Sequence, residues 1–148
     1  MNLSTSDPEQ HKKAFRNSFL NEQETVQNMV HQDEIKLETT GHRDIHEITS
    51  DVRKTVQSSG VSTGIAHVFN IGSTGTIGTI EFEPGLEIDY PEMLDRLIPP
   101  GREYKHEETW HDGNGHSHLQ ATLAGPGLTI PVNNGGLLLG TWQQIFHL

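Results

Sequence analysis

Cysteine is absent from this chain. That excludes disulfides and thiolate-held metals, so any ion would have to sit on His, Asp or Glu. Positive charge is scarce: 10 Lys and Arg against 20 Asp and Glu leave a formal net charge of −10 with histidine neutral. Nucleic acid is bound largely through Lys and Arg on phosphates, and a uniformly acidic chain lacks them. It is equally unsuited to anionic membrane surfaces. No apolar run approaches the roughly 20 residues that span a bilayer. The opening "MNLSTSDPEQHKK" carries no apolar segment of secretory type. A cytoplasmic protein is expected, with neither nucleic acid nor membrane as partner. Apolar residues make up 32%, little for a globular domain, so part of the chain should stay outside the core. The 148 residues suffice for one domain and not comfortably for two.

What is present divides at about residue 33. Residues 1–33 contain no glycine and are rich in Gln, Asn, Glu and Lys. Asp7, Pro8 and Gln10 read as a cap, a first-turn proline and a capping-box partner. Phe15, Phe19, Val26 and Met29 recur at helical spacing, but the stripe is thin and breaks around Glu22. The extension is helical or disordered. Residues 34–148 change character. "EIKLETT" alternates as a half-buried strand does, and "DIHEI" continues it after a turn at Gly41. "TSDVRKTVQSSG" is a helix capped by Thr49 or Ser50, buried through Val52 and Val56 and stopped at Gly60. "TGIAHVFNI" and "GTIGTIEFE" are strands. "DYPEMLDRLIPPG" is a second helix, capped by Asp89, with Met93, Leu94, Leu97 and Ile98 on its apolar face. "SHLQATLAG", "LTIPV", "GLLLGTW" and "WQQIFHL" read as further strands, separated by Gly, Pro and Asn. The fold class is α+β, with largely antiparallel sheets and two short helices. The final apolar strand, ending at Leu148, must be buried, or else the chain is shorter than its ancestor, because a free edge would be sticky.

Chemistry concentrates in "HEETWHDGNGHSHLQATLAGPGLTIPV", residues 106–132. On a strand, His116 and His118 would share one face and make a two-nitrogen donor for zinc or a similar ion. His106, Glu107, Glu108, His111 and Asp112 could complete it, and Asn114-Gly115 would turn the backbone into the strand. Surface histidines in a polar loop are the plainer alternative. A second candidate is Gly72-Ser73-Thr74-Gly75, whose backbone N–H groups and hydroxyls suit an anion. No Lys follows, so it is not a P-loop, and an ordinary turn fits as well. Glu81 and Glu83 would share one strand face as a carboxylate pair, or simply as a solvated face.

"IGSTGTIGTIEFEPG", "YKHEETWHDGNGHSHLQATLAGPGLTIPV" and "GLLLGTWQQIF", in this order and spacing, resemble the YjbQ-like family of small proteins. Some of its members are described as secondary thiamine-phosphate synthases. The resemblance covers residues 34–148 and implies the family's α+β domain assembled as a homotrimer, with sites between subunits. It implies a metal or anion site near His118, with His116 the more variable of the pair. It places Glu81 and His106 with His118, and Thr141, Trp142 and Gln143 in the Gly-Thr-Trp-Gln turn. Many relatives carry His-Thr-Thr where this chain has Gly72-Ser73-Thr74, which removes one candidate ligand or base. They also continue past "GTWQQIF" with an acidic turn and a last strand that this chain lacks.

The expected function is thus a thiamine-phosphate-synthase-like enzyme. Its catalytic residues would be Glu81, His106 and His118, and its phosphate-binding residues Gly72, Ser73, Thr74 and Gly75. A divalent metal, Zn or Mg, would be held by His106, His116, His118 and Glu81, and the partner would be a small phosphorylated metabolite. The departing pyrophosphate needs positive charge, and Arg102 and Lys105 are the nearest cations. The rival expectations are a non-catalytic trimer that binds a metal or phosphometabolite, and a metal-dependent small-molecule hydrolase.

Overall fold

In the computed structural model, residues 30–101 and 103–148 are described. The extension expected over residues 1–33 lies almost wholly outside them, as does Arg102. Six strands form two three-stranded antiparallel sheets. The elements in chain order are β1 (His46–Glu47), α1 (Thr49–Ser59), β2 (Gly64–Phe69), β3 (Ile77–Ile80), α2 (Pro84–Leu97), a 3-10 turn (Lys105–Glu108), α3 (Gly115–Ala124), β4 (Gly127–Asn133), β5 (Gly136–Leu137) and β6 (Gln144–His147). The first sheet runs β1-β6-β3 and the second β2-β4-β5. The α+β class with antiparallel sheets is as expected; the α-helices number three among the described residues, not two.

The terminal strand is the middle of its sheet. β6 pairs with β1 through His46↔His147 and with β3 through Gly78↔Phe146. Its side chains alternate between two packed faces. Ile145, fully buried, joins Ile48, Val52, Ile77 and Ile130 in the core, so the core lies among the two sheets and α1. Phe146 points the other way, with its ring 5.1 Å from Tyr90 of α2. Burial raises the Tyr90 phenol above its usual value. Glycine is required at position 78: a Cβ there would come within 2.7 Å of the Phe146 ring.

α1 begins and ends where the sequence places it, with Gly60 left-handed at its end (φ 69°). Its start differs in chemistry. Thr49 does not cap the helix; it is buried, and its Oγ1 accepts from Ile145 N at 2.7 Å, tying helix to sheet. α2 starts five residues before the expected Asp89. Glu83 is its cap, accepting from Leu86 N (2.6 Å) and Gly85 N (2.8 Å), with Pro84 in the first turn. An acidic cap followed by proline is a regular helix start, so the expected Glu81/Glu83 carboxylate face does not exist. No strand forms over 34–40, although Ile35 packs on the core. The expected strand over 136–142 shrinks to β5, because Gln143 folds back: Gly140 N donates to Gln143 Oε1 (2.9 Å) and Gln143 N to Gly140 O (3.0 Å).

Candidate functional site

The largest correction falls on the histidine segment. Residues 115–124 are helix α3, not a strand. The segment is made of good helix formers such as Leu, Gln and Ala, and it stops at Gly125-Pro126. A short run of this kind satisfies either period. On a helix, residues two apart point about 200° from each other, so His116 and His118 diverge. His116 is buried and meets the His42 ring edge-on at 4.9 Å. His118 turns to the 3-10 segment, where its ring lies 4.5 Å from that of His106.

The loop between them is built to hold the start of α3. Glu107 accepts from Gly113 N at 2.7 Å and from Gly115 N at 2.9 Å. A carboxylate on these free amides favours the helix end electrostatically. Gly115 must be glycine, since a Cβ would sit 2.8 Å from both Glu107 Oε1 and Tyr104 Cβ. His111 and Gly113 take the left-handed turns, at φ 57° and 74°. Within this corner two buried polar atoms have no hydrogen-bond partner, His106 Nε2 and Asn114 Oδ1. Asp112 Oδ1 lies 3.4 Å from His106 Nε2, a contact without hydrogen-bond geometry. Buried polar atoms are almost always paired, so two orphans beside a histidine pair set this corner apart from the rest of the described residues. Asn114 entered the sequence reading only as a turn residue. A lone Asn before a glycine carries no signal for this second role.

Behind the site lies a second polar cluster that the sequence did not announce. Asp95 of α2 accepts from Arg43 Nε (2.6 Å) and from Gln120 Nε2 of α3 (2.9 Å), and His42 Nε2 lies 3.0 Å from its carboxylate. Burial alone would raise the Asp95 carboxyl, but the hydrogen bonds from Gln120, His42 and Arg43 outweigh it and hold the group below the usual carboxylate range. Gln120 also donates to Ile98 O at 2.9 Å. The cluster fastens α2, α3 and the 41–44 turn to one another. His116 belongs to it, and burial followed by its His42 neighbour lowers its basicity.

The other expected site residues lie elsewhere. Glu81 is exposed just beyond β3. Gly72, Ser73 and Thr74 are exposed in the β2–β3 loop. There Asn70 Nδ2 donates to Gly72 O (3.2 Å) and Gly75 O (3.1 Å). Lys105 is engaged by Glu108. Among the described residues no three His, Asp or Glu side chains are grouped to hold a metal ion. Thus His106, His116, His118 and Glu81 do not converge within one chain. Trp142 is exposed, and Thr141 precedes it in the Gly140–Gln143 turn.

A two-sheet α+β domain of this kind is shared with known proteins. The family model "UPF0047 protein YjbQ-like" matches residues 33–148. A UPF0047 protein of Methanothermobacter thermautotrophicus is 40% identical over 117 residues, covering 79% of this chain and 80% of the relative. One from Archaeoglobus fulgidus is 37% identical over 115 residues, covering 78% of this chain and 87% of the relative. Among solved structures, a YbjQ-like protein of unknown function from Sulfolobus solfataricus aligns with TM-score 0.74 at 36% identity, over 78% of this chain and 82% of that one. A YjbQ/UPF0047 protein from Clostridium acetobutylicum aligns at 0.67 and 38%, over 74% and 84%. The chain belongs to the UPF0047 (YjbQ-like) family. Among the described residues no helix is long and apolar enough to cross a membrane.

Proposed function

We propose that this protein acts on a small phosphorylated metabolite in the cytoplasm, as an enzyme of thiamine-phosphate-synthase type working at secondary efficiency. The observation that carries the reading is the His106–His118 pair with two orphaned buried atoms beside it, His106 Nε2 and Asn114 Oδ1. In such a reaction the thiazole nitrogen forms a C–N bond to the pyrimidine methylene carbon, and that carbon's bond to the diphosphate oxygen breaks. The chain's task is to hold both partners in line and to stabilise the negative charge that gathers on the departing pyrophosphate. Imidazole N–H groups of His106 and His118 suit the leaving oxygens. Asn114 Oδ1 suits an amino group of the pyrimidine. The glycine loop 72–75 suits the second phosphate through its amides.

The described residues of one chain do not make a metal centre. A divalent ion, Zn or Mg, would need ligands from a second subunit. That favours a homotrimer with shared sites, and so does the apolar outer face of β2, where Ile65 is 71% and Phe69 56% exposed. The same argument sustains the second reading, a non-catalytic trimer that binds a metal or phosphometabolite. The test is formation of thiamine phosphate from the pyrimidine diphosphate and thiazole phosphate, with and without Mg²⁺ or Zn²⁺. Activity lost in His118→Ala with the fold intact supports the enzyme. Saturable binding of either substrate without product selects the binding protein.

A further inference from the structure

Beneath the glycine loop sits a half-buried histidine that the proposed reaction does not use. His147 of β6 lies on the same sheet face as Ile145 and Ile77, so it points into the core side of the first sheet. Its Nε2 is 3.2 Å from Asn70 Oδ1. Asn70 is fixed from three sides. Its backbone N donates to Pro126 O at 2.7 Å, and its side-chain amide donates to Gly72 O and Gly75 O. Those two carbonyls settle which end of the amide is nitrogen, so Oδ1 must face His147. Oδ1 only accepts, so His147 must carry its proton on Nε2. Nδ1 is then bare, and it is buried with no partner.

The packing is tight enough to make this a mechanical link. A Cβ at Gly75 would come within 2.8 Å of His147 Nε2 and 3.0 Å of Asn70 Nδ2. With the Gly72 and Gly75 carbonyls turned inward to Asn70, the loop's N–H groups are left outward. Among the described residues, none of the N–H groups of residues 71–75 has an acceptor. A run of unpaired amides is what an anion-binding loop needs.

We propose that Asn70 and His147 form a half-buried latch that holds the Gly72–Gly75 loop with its amides presented to a phosphate group, and that protonation of His147 releases it. They are positioning residues, and the inference rests on the phosphate reading of this loop for its ligand. The charged neighbours that face His147 are on the β1 side: its cross-strand partner His46, and Asp44, whose Oδ1 lies 3.1 Å from His46 Nε2. On the β3 side the partner is apolar Ile77. Protonation leaves Nε2–H on Asn70 Oδ1 but adds a proton at Nδ1, a buried donor with no acceptor, which the half-exposed ring can satisfy only by swinging out to solvent and leaving Asn70. Burial and the neighbouring His46 both depress the His147 pKa below 6.5, against a smaller opposing pull from Asp44. The neutral, latched state therefore holds at neutral pH and gives way in acid.

The test is an amide-resolved NMR titration of the full chain without ligand, followed by pyrophosphate binding. In the wild type, the Gly72 and Gly75 amide shifts should follow the His147 imidazole with one shared midpoint. His147→Gln keeps a donor for Asn70 Oδ1 and cannot titrate, so it should abolish that transition. Asn70→Ala should leave the imidazole titrating and disconnect the glycines from it. The ratio of affinities for pyrophosphate with and without His147→Gln, both in a His118→Ala background that removes the histidine corner and with the ligand's own ionisation cancelling, should fall at least about tenfold between pH 7.5 and 5.5. Glycine amides indifferent to His147, or titrating unchanged in His147→Gln, would overturn the latch even if pyrophosphate binds. If the glycines follow His147 and pyrophosphate does not bind, the latch stands and the phosphate reading of the loop falls.

Discussion

The two sheets have the same number of strands and opposite surroundings. The β1-β6-β3 sheet is covered on both faces: Ile145 and Phe146, adjacent on its middle strand, are 0% and 2% exposed. The β2-β4-β5 sheet is covered on one face. Its β4 buries Ile130 and Val132, while Ile65 and Phe69 of β2 stand open on the other side. The first sheet therefore carries stability, and the second keeps an apolar face free for another surface. An exposed apolar face of this kind marks an interaction site, and β2 is also an edge strand.

That contrast can be broken by mutation, beginning with the largest effect. Ile145→Ala should cost about 2–5 kcal/mol, the usual range for emptying a well-packed core site, read from denaturant midpoints. Gly78→Ala should cost about 1–3 kcal/mol, because its methyl would press on the Phe146 ring; a neutral result would mean the two-sided packing of β6 is loose. Asp95→Ala should cost about 1–3 kcal/mol, since it strands Arg43, His42 and Gln120 without their acceptor. The pair Ile65→Ser and Phe69→Ser should change monomer stability by no more than about 0.5 kcal/mol each yet dissociate the proposed trimer in sedimentation. A large loss of fold stability there would erase the distinction between the sheets.

Acid should act on the covered sheet first. His147 has a depressed folded pKa, so its neutral burial costs nothing above the ordinary value of 6.5, and stability is lost as pH falls below that value toward the folded one. Asp95 is also depressed, so its contribution is whole above about 3.9 and disappears as pH falls through its lower folded value. Chemical denaturation across pH should show the upper loss reduced in His147→Gln, with His116 supplying the remainder, and the lower loss reduced in Asp95→Asn.

How far the sequence spoke depends on whether a signal was local. α1 was legible because Val52, Val56 and Gly60 state its face and its end. β2 and β4 were legible because alternation matches their half-covered sheet. α3 was not, because its ten residues, GHSHLQATLA, fit either period, and the helix start is held by Glu107, six and eight residues upstream of the Gly113 and Gly115 amides it accepts from. The start of α2 was misplaced for the opposite reason: the cap Glu83 and Pro84 were present, but the alternating Glu81-Phe82-Glu83 was read as strand. His106 and His118 stand out both in the histidine-rich segment itself and through the family resemblance, and they do come together. His116 does not join them, because a helix sends it to His42. Asn70 and His147 lie 77 positions apart, a pairing that only the sheet register reveals.

The central claim is that the His106–His118 corner receives a phosphorylated ligand. The most direct measurement is calorimetric titration of pyrophosphate into wild type, His106→Ala and His118→Ala at pH 7.5, with sedimentation confirming an unchanged assembly. The account predicts saturable binding in the wild type and a loss of at least about tenfold in each variant, a difference of about 1.4 kcal/mol. Wild-type binding that survives both substitutions unchanged would contradict it.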